Sequence, residues 1–148
     1  MGTSITLETM ASLARAGSHD VTPLVASVLS GGCTVSDCVF AIDSFLRRHF
    51  IYREERDEVL RDVPFMLNDL SMLGHMEGDC DDMTILGSAL LCNIGLPTRM
   101  TAIQSAIPGE YDHVYTETRV NGTWIPMDPT VPYGMTYTTF GTMSEVVC

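Results

Sequence analysis

Basic side chains are scarce in this chain. Eight Lys and Arg stand against nineteen Asp and Glu among 148 residues, giving a formal net charge of −11. A surface so acidic repels phosphate backbones and anionic headgroups, which argues against nucleic-acid and membrane binding. Long apolar runs are missing too: no stretch approaches the ~18 residues that a spanning helix needs. The opening MGTSITLETMAS has neither a basic n-region nor a continuous apolar h-region, so no secretory signal is expected. Gly2 after Met1 matches a myristoylation pattern only at chance level. Paired metal ligands are lacking as well. Cys33 and Cys38 have no partner Cys/His pair elsewhere, so neither a structural metal nor a cofactor is expected. There is no internal repeat, low-complexity tract or long linker. What is present suits one globular domain: 45% hydrophobic residues and 18% charged. The five cysteines (Cys33, Cys38, Cys80, Cys92 and Cys148) are odd in number and irregularly spaced. They read as reduced thiols, and so as a cytoplasmic protein.

Hydrophobic spacing predicts a helical part over about 3–95 and a β part over about 98–140. Helices are expected at 6–16, with Gly17 as stop, and at 23–29, capped by Thr22 or Asp20. A longer one runs from Val35 to Tyr52, capped by Thr34 or Ser36, with Val39, Ile42, Phe45, Leu46 and Phe50 on its apolar face. The charged REERDE at 53–58 reads as solvated linker. Pro64 fits a first helical turn, so a helix is expected at 64–73 with Gly74 as its end. The next helix starts near Cys80 and stops at Gly95 before Pro97. It is apolar nearly all round, so it should be buried on most sides. After it the period falls from 3.6 to 2. Strands are expected at 98–104, 113–120 and 123–128, with Asn121-Gly122 as a hairpin turn that needs positive φ at both residues. The tail at 131–148 has room for one more strand.

The chemistry centres on Gly78-Asp79-Cys80-Asp81-Asp82. A cysteine about one position before a helix faces unpaired N–H groups and the positive end of the dipole, which favours thiolate and can stabilise an oxyanion. Asp79, Asp81 and Asp82 oppose thiolate formation, and aspartates are also what capping alone would select. A lone cysteine there is equally an ordinary buried thiol. The hairpin offers a partner. If Val120 faces Thr123, the same register sets Asp128 opposite Tyr115, on the face of His113 and diagonal to it, about 7 Å away at the backbone. A one-residue slip would turn Asp128 to the other face. Asp128 could then hold the His113 ring, and His113 could take the proton of Cys80, in a nucleophile–base–orienter arrangement. Asp79 and Asp81 are further candidates beside the oxyanion site, and Tyr115 and Trp124 are candidate cleft walls. His75, Tyr52 and Asn68 are open alternatives for a second oxyanion donor. Arg99 is expected to pair structurally with an acid. Asp79-x-Asp81 hints at calcium, but Met83 at the fifth position and a missing glycine at the sixth break the pattern.

The same residues resemble a known family. Gly78-Asp79-Cys80-Asp81-Asp82, Gly95-Leu96-Pro97-Thr98-Arg99, Asp112-His113-Val114-Tyr115 and Gly122-Thr123-Trp124-Ile125-Pro126-Met127-Asp128-Pro129-Thr130 look like the transglutaminase-like superfamily, in its small bacterial and phage form. The resemblance runs over about residues 60–132, with PFMLN at 64–68 ahead of the cysteine motif. It implies a papain-like α+β fold, a nucleophile helix packed on an antiparallel sheet, and a Cys80/His113/Asp128 triad acting on a protein or peptide substrate. Hydrolysis of peptide or isopeptide amides is the expected activity. Crosslinking through the same thioester, or a structural protein that keeps the fold without catalysis, are the alternatives.

Overall fold

The computed structural model describes residues 4–54, 59–135 and 137–148. Three helices come first: α1 (Ser4–Gly17), α2 (Thr22–Val28) and α3 (Val35–His49). Thr34 caps α3, its hydroxyl accepting from the Asp37 N–H at 3.3 Å. The predicted cap of α2 is not there; Val21 takes that position without a side-chain bond. α3 also stops three residues earlier than its apolar spacing suggests. Phe50 is extended, and β1 (Phe50–Tyr52) pairs in parallel with β2 (Met76–Gly78). Phe50 is buried, as its place in the helical spacing also predicts, so periodicity could not reveal the switch; the distant partner strand decides it. Of the REERDE linker, residues 55–58 lie outside the described residues, and Arg53 pairs with Glu77 at 3.2 Å.

Between the two short strands, α4 (Val63–Leu73) is capped by Asp62, which accepts from the Phe65 N–H, and closed by Gly74 at φ 79°. α5 (Cys80–Asn93) follows β2 directly. Its residues from Cys80 to Leu91 are all buried, as its unbroken apolar character predicts. Gly95, at φ 82°, turns the chain out of it.

The rest is a four-stranded antiparallel sheet of β3 (Thr98–Ile103), β4 (His113–Val120), β5 (Thr123–Met127) and β6 (Thr142–Val146), in the order β5-β4-β3-β6. β6 is the extra strand for which the tail had room. Val114, Thr116, Thr118 and Val120 of β4 are buried on the α5 side. There Thr116 and Ser88 hydroxyls meet at 3.2 Å, and the Thr84 hydroxyl donates to the Val114 carbonyl at 3.3 Å. Gly87 lets sheet and helix approach, since a Cβ there would lie 3.0 Å from the Met127 Cε. α1 and α3 pack on the remaining sides of α5, completing an α+β fold around one helix.

The cysteines depart from the expectation of free thiols. Cys33 bonds Cys38 and Cys92 bonds Cys148, which leaves Cys80 free. An odd count leaves one thiol over whatever the others do. Nor can spacing show that the end of α5 and the end of the chain meet with Cα atoms 6.0 Å apart. The longer bridge closes 56 residues, so on a chain-entropy account it stabilises the fold by about 4 kcal/mol. Cys92→Ser should lower the unfolding free energy in denaturant by several kcal/mol. Thiol titration of the oxidised, unfolded wild type should find one thiol; three or five would contradict the pairing.

Candidate active site

The start of α5 is buried, so its N–H groups need partners from the chain itself. Asp79 supplies most of them. Its Oδ1 accepts from Asp81 N–H at 3.0 Å and Asp82 N–H at 3.3 Å, and its carbonyl accepts from Met83 N–H. Asp82 reaches back to the Asp79 N–H at 3.2 Å, completing a reciprocal cap. Asp82 is fully buried and also takes the Arg61 N–H and guanidinium, each at 3.0 Å. Burial pushes its carboxyl up to about 6, against these bonds. Gly78 follows from this packing: a Cβ there would lie 2.4 Å from Asp82 Oδ2. One first-turn group is left over. Among the described residues, nothing accepts from the N–H of Cys80.

Cys80 is the first residue of α5 rather than the residue before it. Its sulfur lies 3.9 Å from Asp81 Oδ1, and the nearby Val114 backbone favours its ionised form. Burial raises the thiol most, Asp81 next, with Asp79 and Asp128 adding, and together they push it up to about 12. The contest between helix end and carboxylates therefore goes to burial and the carboxylates. At neutral pH Cys80 rests as a thiol.

The hairpin has the register that places Asp128 and His113 on one face. Val120 pairs with Thr123 and Thr116 with Met127, and Asn121 and Gly122 have φ of 52° and 79°. His113 Nε2 and Asp128 Oδ2 are 2.7 Å apart. Asp128 is itself buried and held at every oxygen. Its Oδ1 accepts from the Thr130 N–H and hydroxyl at 3.0 and 2.6 Å, and its carbonyl from Arg47 at 3.1 Å. The Tyr137 hydroxyl donates to the same Oδ2 that His113 uses. With Nε2–H given to Asp128, the lone pair of His113 is on Nδ1. No hydrogen bond joins this ring to Cys80 among the described residues. The crevice over Cys80, lined by Thr84, Thr116, Asp128 and Thr130, has no room for a water-sized molecule, whereas the cavity beside His113 holds about 400 Å³. Thr130 borders both.

A family model for the transglutaminase-like superfamily matches residues 23–129. The chain belongs to that superfamily. No curated protein sequence matches it. Among solved structures, a candidate cysteine protease from Cytophaga hutchinsonii aligns with a TM-score of 0.62 at 19% identity, over 87% of this chain and 46% of that one. A candidate protease from Parabacteroides distasonis aligns with a TM-score of 0.65 at 12% identity, over 83% of this chain and 26% of that one. The chain thus spans less than half of either protein, and at these identities the likeness is one of fold.

The transglutaminase-like fold does not gather every candidate side chain. Tyr115 is buried against His113, and its ring stacks on Tyr137 at 4.7 Å. Trp124 is elsewhere. It pairs with Arg119, four residues along the strand from Asp128 and so roughly 13 Å away, and lies under Arg99 at 4.3 Å. Arg99 has the acid expected of it, Glu117 at 2.9 Å. Of the three alternatives for an oxyanion donor, His75 is turned to Glu77 and Asn68 to Met72. Tyr52 lines the His113 cavity; although its residue is 48% exposed, partial desolvation, with Cys80 and Asp79 nearby, pushes its hydroxyl up to about 12. Tyr137 was not foreseen, because it lies in a tail without periodicity. Its only sequence signal is an aromatic residue shortly after Asp128-Pro129.

With the thiol raised, alkylation of Cys80 by iodoacetamide should keep accelerating past pH 10 instead of levelling near the ordinary cysteine value of about 8.5. Asp81→Asn removes one raising charge and should move the profile to lower pH. A wild-type plateau near pH 8.5 would contradict this electrostatic account.

Proposed function

We propose that this protein is a cysteine hydrolase that cleaves peptide or isopeptide amides through a thioester on Cys80, with His113 as proton carrier and Asp128 as its orienting carboxylate. The observation that carries the reading is the 2.7 Å His113–Asp128 bond, next in sequence to the Val114 backbone against which the one free thiol of the described residues rests. Because a standing thiolate is disfavoured, the Sγ–H proton passes to His113 Nδ1 as sulfur bonds to the substrate carbonyl carbon. The carbonyl oxygen takes up the electron pair. The unbonded Cys80 N–H and the Tyr52 hydroxyl are the donors that meet it. Collapse of this intermediate breaks the C–N bond, and the amine leaves with the proton from His113. Water then gives a proton to His113 and attacks the thioester; the C–S bond breaks and the proton returns to sulfur. No hydrogen bond joins sulfur and imidazole in the resting site among the described residues, and bonds of this kind often form only when substrate enters.

The closed crevice and raised thiol favour a second reading, a structural protein that retains the fold without turnover. Crosslinking differs from hydrolysis only in the acceptor, an amine in place of water. The net charge of −11 favours neutral or basic substrates. The two disulfides support an oxidising compartment over the cytoplasm expected from the cysteine count.

A screen of glutamine-containing and isopeptide substrates with a labelled amine, on wild type beside Cys80→Ala and His113→Ala, separates these readings. Hydrolysis by wild type alone is expected. Amide exchange onto the label in excess of hydrolysis would shift the conclusion to crosslinking. No turnover and no acyl mass on Cys80 would leave the structural role. In the active enzyme Tyr52→Phe should lower kcat by roughly 10²–10³ with KM little changed; an unaltered kcat would remove Tyr52 from the oxyanion site.

A further inference from the structure

A second pocket lies behind Asp128, between α3 and residues 125–137. It holds about 230 Å³, less than the ~300–1,000 Å³ of drug-sized sites and suited to a single side chain. Val39, Met127 and Met135 give it apolar walls. At its rim Phe40 and Tyr133 stack at 5.4 Å although both are more than half exposed, at 59% and 54%. Large aromatic rings left in solvent around a concavity are the usual mark of a binding site. Val131 and Tyr137 line this pocket and the His113 cavity alike, so an occupant would be next to the site where chemistry is proposed.

The pocket has one polar demand. Asp43 lines it, is 6% exposed, and has an Oδ1 that is buried without a hydrogen-bond partner. Its other oxygen is held by Arg47 Nε at 3.0 Å, and the Tyr133 hydroxyl lies near enough to favour the ionised form. Burial nevertheless raises this carboxyl above its ordinary range. The Tyr133 hydroxyl is engaged with Ser44 Oγ at 3.0 Å and makes no hydrogen bond to Asp43 Oδ1, and a buried acceptor left without one is costly and marks where a ligand donor would be welcome. The charge of Asp43 is already matched by Arg47, so the unmet need is a neutral donor rather than a second cation. Arg47 does not meet that need: its Nη1 and Nη2 donate to the carbonyls of Val131 at 2.6 Å and Asp128 at 3.1 Å, and its plane covers Tyr133 at 3.9 Å. A phenol brings one hydroxyl on an apolar ring, which is what the pocket can satisfy.

We propose that this pocket is a specificity site that takes a tyrosine side chain of the peptide substrate, its ring against Phe40 and Met127 and its hydroxyl donating to Asp43 Oδ1. As a substrate site it rests on the hydrolase reading above, but its occupancy can be measured without catalysis. The test is titration of the full Cys80→Ala chain, ¹⁵N-labelled, with N-acetyltyrosinamide, N-acetylphenylalaninamide and N-acetyllysinamide. Amide shifts should centre on residues 39–47 and 125–135, and the tyrosine probe should bind roughly tenfold more tightly than the phenylalanine probe. Asp43→Asn should bring the two affinities together. Ser36→Trp, an exposed position on the pocket wall, should block both without touching the ion pair, and it decides the matter if Asp43→Asn does not fold. Equal tyrosine and phenylalanine affinities in the Cys80→Ala chain, tighter binding of the lysine probe, shifts centred elsewhere, or binding unaffected by Ser36→Trp would each overturn the proposal. A chain that binds the tyrosine probe as described yet turns over no substrate would keep the pocket and lose the hydrolase. An active enzyme that ignores the probe would do the reverse.

Discussion

Burial of the first turn of α5 is the constraint on which the rest of the molecule depends. A helix enclosed from Cys80 to Leu91 cannot leave its N-terminal N–H groups to water, so they must be met by side chains. Asp79 and Asp82 meet all but one, Arg61 balances the buried Asp82, and Gly78 clears the space that its carboxylate fills. The Gly-Asp-Cys-Asp-Asp run is thus first a solution to a capping problem. Its chemical interest arises from what the cap leaves unsatisfied, the N–H of the cysteine itself.

The same solution sets the electrostatics. Three carboxylates near a buried sulfur keep it a thiol, so the helix end does not act here as a device for making thiolate. In the proposed reaction it would instead hold a fixed donor where negative charge develops on a substrate. On that reading the burden of proton removal would fall on His113. Its orientation is correspondingly over-determined: Asp128, which holds it, is bound by Thr130, Tyr137 and, through its carbonyl, Arg47.

Much of this could be read from the sequence wherever a local rule had one outcome. Asn121-Gly122 can form a two-residue turn only with positive φ at both positions, and the turn then fixes the parity of every residue on β4 and β5, including His113 and Asp128. α5 was legible for a similar reason, since an all-round apolar helix has nowhere to go but inside. What escaped depended on partners remote in sequence. Phe50–Tyr52 leaves the helix because Met76–Gly78 is waiting beside it, and Cys92 finds Cys148 because β6 returns along β3. Trp124 is on the predicted strand, but four residues of rise carry it away from the cleft. Tyr52 could be narrowed from three candidates only once β1 had turned it toward the His113 cavity.

Arg47 joins these themes. It lies off the apolar stripe of α3, yet it is only 23% exposed and donates to Asp43, Val131 and Asp128. Through it, α3 holds in place the backbone of the residue that orients His113. Pairing with Asp43 allows a guanidinium to be buried there, and it is the same pairing that leaves one carboxylate oxygen without a donor. The residue that braces the candidate catalytic carboxylate and the residue that gives the adjoining pocket its polarity are therefore a single ion pair. If the pocket takes substrate as proposed, positioning and recognition are coupled through α3, a helix that lends no group to the proposed chemistry.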